Sequence, residues 1–197
     1  MQALLRISRL IDALNERVGR LVYWLVLLTV LVSAGNAIVR KVFNYSSNAY
    51  LELQWYLFSA VFLLCAGFAL LRNDHVRIDI LSGRASHKGQ AWIDIFGTVF
   101  FLLPMVGIFI WLSVPWFWRT YTEHEISGSA GGLVLWPARI LVPIGFTLLA
   151  LQALSELIKR IAFVAGKGPD PIPRHDAHAA EKELAEEIKR MAEGKSS

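Results

Sequence analysis

The sequence predicts an all-α membrane protein of four transmembrane helices, with both termini cytoplasmic and an interfacial cytoplasmic segment between helices 2 and 3. Three observations carry that prediction. Of 197 residues, 55% are hydrophobic and 18% charged, against roughly 25% charged in an average soluble domain. The charges leave four long blocks and gather between them, whereas a soluble protein of this size spreads them along amphipathic elements. Lys and Arg concentrate on alternate connections, the pattern that orients helices in a bilayer.

The first block, residues 21–39, is apolar except for Thr29, Ser33 and Asn36, and at ~1.5 Å per residue it crosses a ~30 Å hydrocarbon core. The second, 49–71, has Glu52 as its only charge, near its start. The third, 91–118, carries Asp94 early and no charge afterwards, and is long enough to cross with a tilt. The fourth, 134–164, has Arg139 near one end and Glu156, Lys159 and Arg160 near the other. Its uncharged stretch, 140–155, is the shortest, and Arg139 and Lys159 are expected to reach toward the headgroups at either side. Pro104 with Gly107, and Pro143 with Gly145, are expected to bend their helices and let neighbours approach closely.

Ahead of these spans, residues 1–20 place Leu4, Ile7, Ile11, Leu14 and Val18 at helical spacing, as in an amphipathic helix lying on a membrane surface. A cleavable signal peptide fits poorly: Asp12 and Glu16 interrupt the approach, and the apolar run exceeds the usual h-region of roughly 7–15 residues. Arg6, Arg9, Arg17 and Arg20, then Arg72, Arg77, Arg84 and Lys88, then Lys159, Arg160, Lys167 and Arg174 all fall on one side. Arg40, Lys41, Arg119 and Arg139 fall on the other, so both termini and the middle loop are assigned to the cytoplasm. Tyr45, Tyr50, Trp55, Trp116, Trp118, Tyr121 and Trp136 collect near the expected outer interface, and Tyr23, Trp24 and Trp92 near the inner one.

In the middle loop, residues 73–81 alternate polar and apolar side chains, with Val76, Ile78 and Ile80 on one side. A segment along the cytoplasmic interface is expected there, anchored by Arg77 and Asp79, with Ser82 capping a short helix toward Trp92. Residues 165–197 form a Gly- and Pro-containing linker and a polar tail. Within the tail Ala180, Leu184, Ile188 and Met191 make a thin apolar stripe, which predicts a short cytoplasmic helix over about 177–193.

Little in this chain suits catalysis. None of its five histidines (His75, His87, His124, His175, His178) lies in a span, whereas a membrane cytochrome needs axial histidines facing each other within its helices. No zinc-type spacing occurs, and residues 127–132 (SGSAGG) lack the lysine and strand of a phosphate-binding loop, so they are read as a flexible outer turn. Cys65, the single cysteine, is read as a packing residue. The net charge of +4 comes from residues flanking apolar blocks, not from a dedicated nucleic-acid patch. The expectation is therefore no enzyme, with no catalytic residue, cofactor, metal or nucleic-acid partner.

Glu52 is the ionisable residue that most needs explaining. An unpaired carboxylate in lipid is costly, so it should face protein, water or a cation such as Arg40 or Lys41 across the outer turn. A relay role would make the chain a small homodimeric exporter built on Glu52. A transporter working alone, however, places its coupling site near the midplane, where this sequence has nothing ionisable. Ser33, Asn36 and Arg40 share a face of the first span and could hydrogen-bond a neighbouring helix or Gln54. In the outer loop Arg119, Glu123, His124 and Glu125 are candidates for meeting a soluble partner.

Residues 47–81, followed by a long third span and then WPARILVPIGFTLLALQAL at 136–154, resemble the small membrane subunit, DctQ type, of tripartite ATP-independent periplasmic (TRAP) transporters. The most specific parts are Glu52, Gln54 and Trp55 with His75, Arg77 and Asp79. These look similar to the branch associated with mannitol or chloroaromatic compounds. The resemblance implies a bacterial inner-membrane subunit that pairs with a separate large permease. That permease carries the solute and sodium sites, and a periplasmic binding protein delivers the solute, commonly an organic acid. It further implies that the small subunit is a scaffold whose outer surface helps receive the binding protein.

Overall fold

The computed structural model describes residues 2–45, 47–72 and 86–168. Helix α1 spans Gln2–Phe43, α2 Asn48–Arg72, α3 His87–Gly97, α4 Leu103–Thr122 and α5 Trp136–Val164, and a π-helical segment, Thr98–Leu102, joins α3 to α4. Four helical stretches are long and apolar enough to cross a membrane: Gln2–Phe43, Asn48–Arg72, Lys88–Thr122 and Trp136–Val164. Among the described residues no strand forms, only one antiparallel bridge between Ile126 and Val134.

The breaks between helices have local causes. α1 stops at Asn44, whose φ of 49° is the left-handed conformation that Asn tolerates. α3 begins behind Ser86, whose hydroxyl accepts the Gly89 N–H at 3.3 Å. The cap of the helix leading to Trp92 is thus Ser86; Ser82 lies outside the described residues. Pro104 offers no N–H to the carbonyl one turn back, and the helix adjusts just upstream, where Leu103 N–H bonds to Thr98 O five residues behind. α5 ends in a Schellman turn. Lys167 N–H bonds to Ala162 O and Gly166 N–H to Phe163 O, both at 2.9 Å, with Gly166 at φ 68°.

The segment expected to form a separate surface helix over residues 1–20 is continuous with the first span. α1 is one helix of 42 residues. Its polar positions Ser8 and Asn15 are buried, and Ile7, Leu10 and Leu14 are exposed. The apolar stripe read from the sequence therefore points outward, because the opposite face packs on α5.

α5 is the centre of the arrangement. It packs on α1, α2, α3 and α4, and α1 also packs on α2, but neither α1 nor α2 touches α3 or α4 among the described residues. A third of the most apolar window of α5 is buried (33%), against 6% to 11% in the other three spans. α1, α2 and α5 thus pack on one another and the α3–α4 arm joins them through α5 alone, an arrangement with little buried interior. Two glycines set its spacing. A Cβ at Gly145 would lie 2.8 Å from Leu63 Cβ and from its carbonyl, and one at Gly67 would overlap Asn15 Oδ1 and come within 3.1 Å of Leu148 O.

Candidate functional site

Two polar clusters hold the helices together, one at each end. At the end carrying Arg20 and Arg72, side chains at helical spacing on α1 and α5 interlock. Asp12 sits at the centre. Its Oδ1 accepts from Ser155 Oγ at 2.7 Å and Gln152 Nε2 at 2.9 Å, and its Oδ2 lies 3.1 Å from Lys159 Nζ. Asn15 Nδ2 donates to Gln152 Oε1 at 3.0 Å, and the Ser8 and Ser155 hydroxyls stand 2.7 Å apart. Lys159 also pairs with Glu156 at 2.5 Å. Arg160 reaches across to Asp94 at the start of the α3–α4 arm and lies 4.0 Å from Glu156.

Burial makes this cluster costly to break. Asn15 and Gln152 are fully buried, Arg160 is 6% and Glu156 8% exposed. Charges so placed persist only when paired and hydrogen-bonded. Lys159, expected to extend to headgroups, instead turns inward onto Asp12 and Glu156, because those two carboxylates are packed beside it on α1 and on its own helix. Just outside, Arg72 bonds Glu16 at 3.2 Å, which also pairs with Arg20 at 3.4 Å, and the Arg72 guanidinium lies 5.3 Å from the centre of the Phe68 ring.

At the opposite end Glu52 fastens the loop between α4 and α5. Its Oε2 accepts the Leu133 N–H at 2.7 Å and its Oε1 accepts from Ser127 Oγ. Tyr56 Oη donates to Val134 O and Asn48 Nδ2 to Ala130 O, both at 3.0 Å. α2 therefore grips residues 127–134 at four points. The stretch read as a flexible turn is folded back by the Ile126–Val134 bridge and by Ser127 N–H bonding Leu133 O at 3.0 Å. Beneath it Arg139, on the first turn of α5, binds Glu125 and Thr120 and lies over the Trp116 ring, 4.5 Å from its centre.

The candidates named from sequence separate into groups. Glu52 does meet protein, but its partners are Ser127 and Leu133; Arg40 and Lys41 stand exposed at the end of α1. A backbone N–H and a hydroxyl satisfy the carboxylate without a cation. Gln54 is half-buried and Trp55 73% exposed on the same helix. Arg119 and Glu123 pair with each other at 3.0 Å on the surface, His124 is exposed with φ 49°, and Glu125 is tied to Arg139. His75, Arg77 and Asp79 lie outside the described residues, as does the predicted helix over 177–193.

What the sequence reading missed is the Asp12 cluster. The signal was present: Ser8, Asp12, Asn15 and Gly19 recur every three or four residues on α1, and Gln152, Ser155, Glu156, Lys159 and Arg160 do so on α5. Among the described residues no three His, Cys, Asp or Glu side chains are grouped to hold a metal ion.

A four-span chain fastened at both ends, with its charges kept out of the middle, is matched by one family model, that of the DctQ component of tripartite ATP-independent periplasmic transporters, over residues 29–163. The chain belongs to the DctQ family. It is a multi-pass membrane protein and a component of a TRAP transporter. Neither a curated protein nor a solved structure matches it. The family match begins inside α1, so Ser8, Asp12 and Asn15 fall ahead of it while their partners Gln152, Ser155 and Lys159 fall within it.

Proposed function

We propose that this DctQ protein is the non-catalytic small permease subunit of a sodium-coupled, binding-protein-dependent TRAP transporter in the bacterial inner membrane, moving organic acids or related solutes. In this reading it scaffolds a separate large subunit that carries solute and ion, and both its termini face the cytoplasm. The observation that supports it best is how little of the apolar spans packed around α5 is buried within the chain itself. Residues 21–39, 53–71, 95–118 and 140–155 carry no charge, and the Asp12–Lys159 and Glu52 clusters lie at the two ends. Such an arrangement has broad apolar faces to offer a larger membrane protein and lipid, and no charged midplane site of the kind a secondary transporter uses.

On this reading Gln54, Trp55 and Arg40, with His75, Arg77 and Asp79, belong to the surface that meets the large subunit or is ordered by it. Arg119, Glu123 and His124 belong to the outer surface that receives the periplasmic solute-binding protein. Glu125 supports that surface through Arg139 instead of reaching out itself. The self-contained homodimeric exporter is disfavoured because both oxygens of Glu52 already hold the α4–α5 loop.

Reconstitution tests the proposal. Co-expression with the cognate large permease should yield a stable heterodimer that takes up solute with sodium when the binding protein is supplied, while the small chain alone should be inert in the same vesicles. Sodium-driven uptake by the small chain alone would refute the scaffold reading.

A further inference from the structure

The first four turns of α1 are inverted relative to a helix in water. Ser8, Asp12 and Asn15 face α5, while Ile7, Leu10 and Leu14 face away, Leu10 being 72% exposed. Lipid covers such a stripe only where the bilayer reaches it. α1 is unbroken, and Leu10 precedes Arg20 by about 15 Å at ~1.5 Å per residue. A ~30 Å core filled by residues 21–39 ends short of Leu10 and Ile7, and the Asp12 cluster keeps these turns against α5. One edge of the stripe is basic. Arg6 and Arg17 flank Leu10 there, and neither has an acidic partner among the described residues. Asp12 is taken by Lys159, and Glu16 by Arg20 and Arg72.

We propose that residues 177–193 of this same chain cover that face. The described chain leaves α5 at Gly168, folded back against Ala162. Because α1 and α5 are antiparallel, with Ser8 opposite Ser155, the end of α5 stands near the first turn of α1. The stretch from Gly168 to Ala177 can extend to about 30 Å at ~3.3 Å per residue, the rise of about twenty helical residues. At helical spacing Ala180, Leu184, Ile188 and Met191 of residues 177–193 would share one face, bordered by Glu183 and Glu187 with Arg190 beside them, and the whole segment holds five Glu against two Lys and one Arg. On this proposal an apolar stripe on a net acidic segment meets an apolar stripe with a basic border. The tether holds the two at about millimolar effective concentration, so a weak contact suffices.

Cross-linking in the full chain tests this. Cys65 is the only cysteine, so a Cys65→Ser background carrying Leu10→Cys and Leu184→Cys reports on one pair. Leu10→Cys changes an outward side chain and leaves the fold intact. In nanodiscs containing anionic lipid, the intramolecular cross-link is expected about tenfold faster than for a Leu10→Cys and Lys182→Cys control on the other face of the segment. Glu183→Lys with Glu187→Lys should slow it several-fold, and Arg6→Glu with Arg17→Glu should restore it. Equal rates for the two pairs would overturn the proposal. So would quenching of a label at residue 10 by nitroxide lipids without cross-linking, which would make the bilayer the occupant, or, in nanodiscs that also hold the large subunit, cross-linking of residue 10 to that subunit instead.

Discussion

Asp12 of α1 and Lys159 of α5 form an ion pair at 3.1 Å across 147 residues of sequence, at the point where the first and last spans meet. The pair is the middle of a continuous polar seam that starts at Ser8–Ser155, passes through Gln152 and Glu156, and ends at Arg160 and Asp94. It joins α1 and the α3–α4 arm, which do not touch each other, through α5. Within a bilayer apolar burial contributes little to helix association, so hydrogen bonds and close packing must specify the arrangement.

Breaking one side of the pair should therefore destabilise more than removing both. Lys159→Met leaves Asp12 about three-quarters buried without its cation and is expected to lower stability by about 1–3 kcal/mol after allowance for partial exposure. Asp12→Asn combined with Lys159→Met should recover a good part of that loss, since the amide keeps acceptors for Ser155 and Gln152. Thermal unfolding of the purified chain in detergent, followed by intrinsic fluorescence, reads the difference. A double variant no more stable than Lys159→Met would show that the two residues are not coupled.

Glu52→Gln removes a charged acceptor from Leu133 N–H and Ser127, and the loss of order is expected to be concentrated in the α4–α5 loop. Residues 127–134 should become sensitive to limited proteolysis while the helices stay protected. The yield of heterodimer should fall, and solute uptake by the surviving complex should persist. Complete loss of uptake with normal assembly would return Glu52 to a relay role.

The number and position of the spans were legible in the sequence because apolar blocks of bilayer length have few other solutions. Glu52 was legible as a residue needing protein contact, though not which contact: the choice between Arg40 and the Ser127–Leu133 loop depends on how α2 sits against the α4–α5 connection, which is a tertiary fact. The Asp12 cluster was hidden for a different reason. Charges at the ends of spans are ordinarily explained by headgroups, and Glu156, Lys159 and Arg160 satisfied that explanation until α1 proved to be one helix passing beside them. Leu4, Ile7 and Leu14 were read correctly as one exposed face, but what covers that face was not legible, since an apolar stripe states only that water is excluded and not by what.

Arg139 tests whether guanidinium geometry matters at the outer end. It binds Glu125 and Thr120 while stacking on Trp116, a combination that the single ammonium of lysine cannot reproduce. Arg139→Lys is expected to cost about 1–2 kcal/mol and Arg139→Met more, because Glu125 is then left half-buried and unpaired. A cycle with Glu125→Gln measures the coupling; a value near zero would mean that the pair is incidental to the loop.

The glycines allow the sharpest comparison, because the same chemical change should have opposite results at different sites. Gly145→Ala drives a methyl into Leu63 and its carbonyl, where backbone cannot yield, and should push α5 away from α2 at about 1–3 kcal/mol. Gly67→Ala should do at least as much, since its methyl would strike Asn15 Oδ1 and the Leu148 carbonyl together. Gly35→Ala and Gly107→Ala meet nothing within 4 Å. In the isolated chain these should be neutral or stabilising by up to about 1 kcal/mol, as expected for a helical Gly replaced by Ala. If all four variants melted alike, α5 would not be the close-packed centre on which α2 is seated, and the packing of the helices would have to be rearranged.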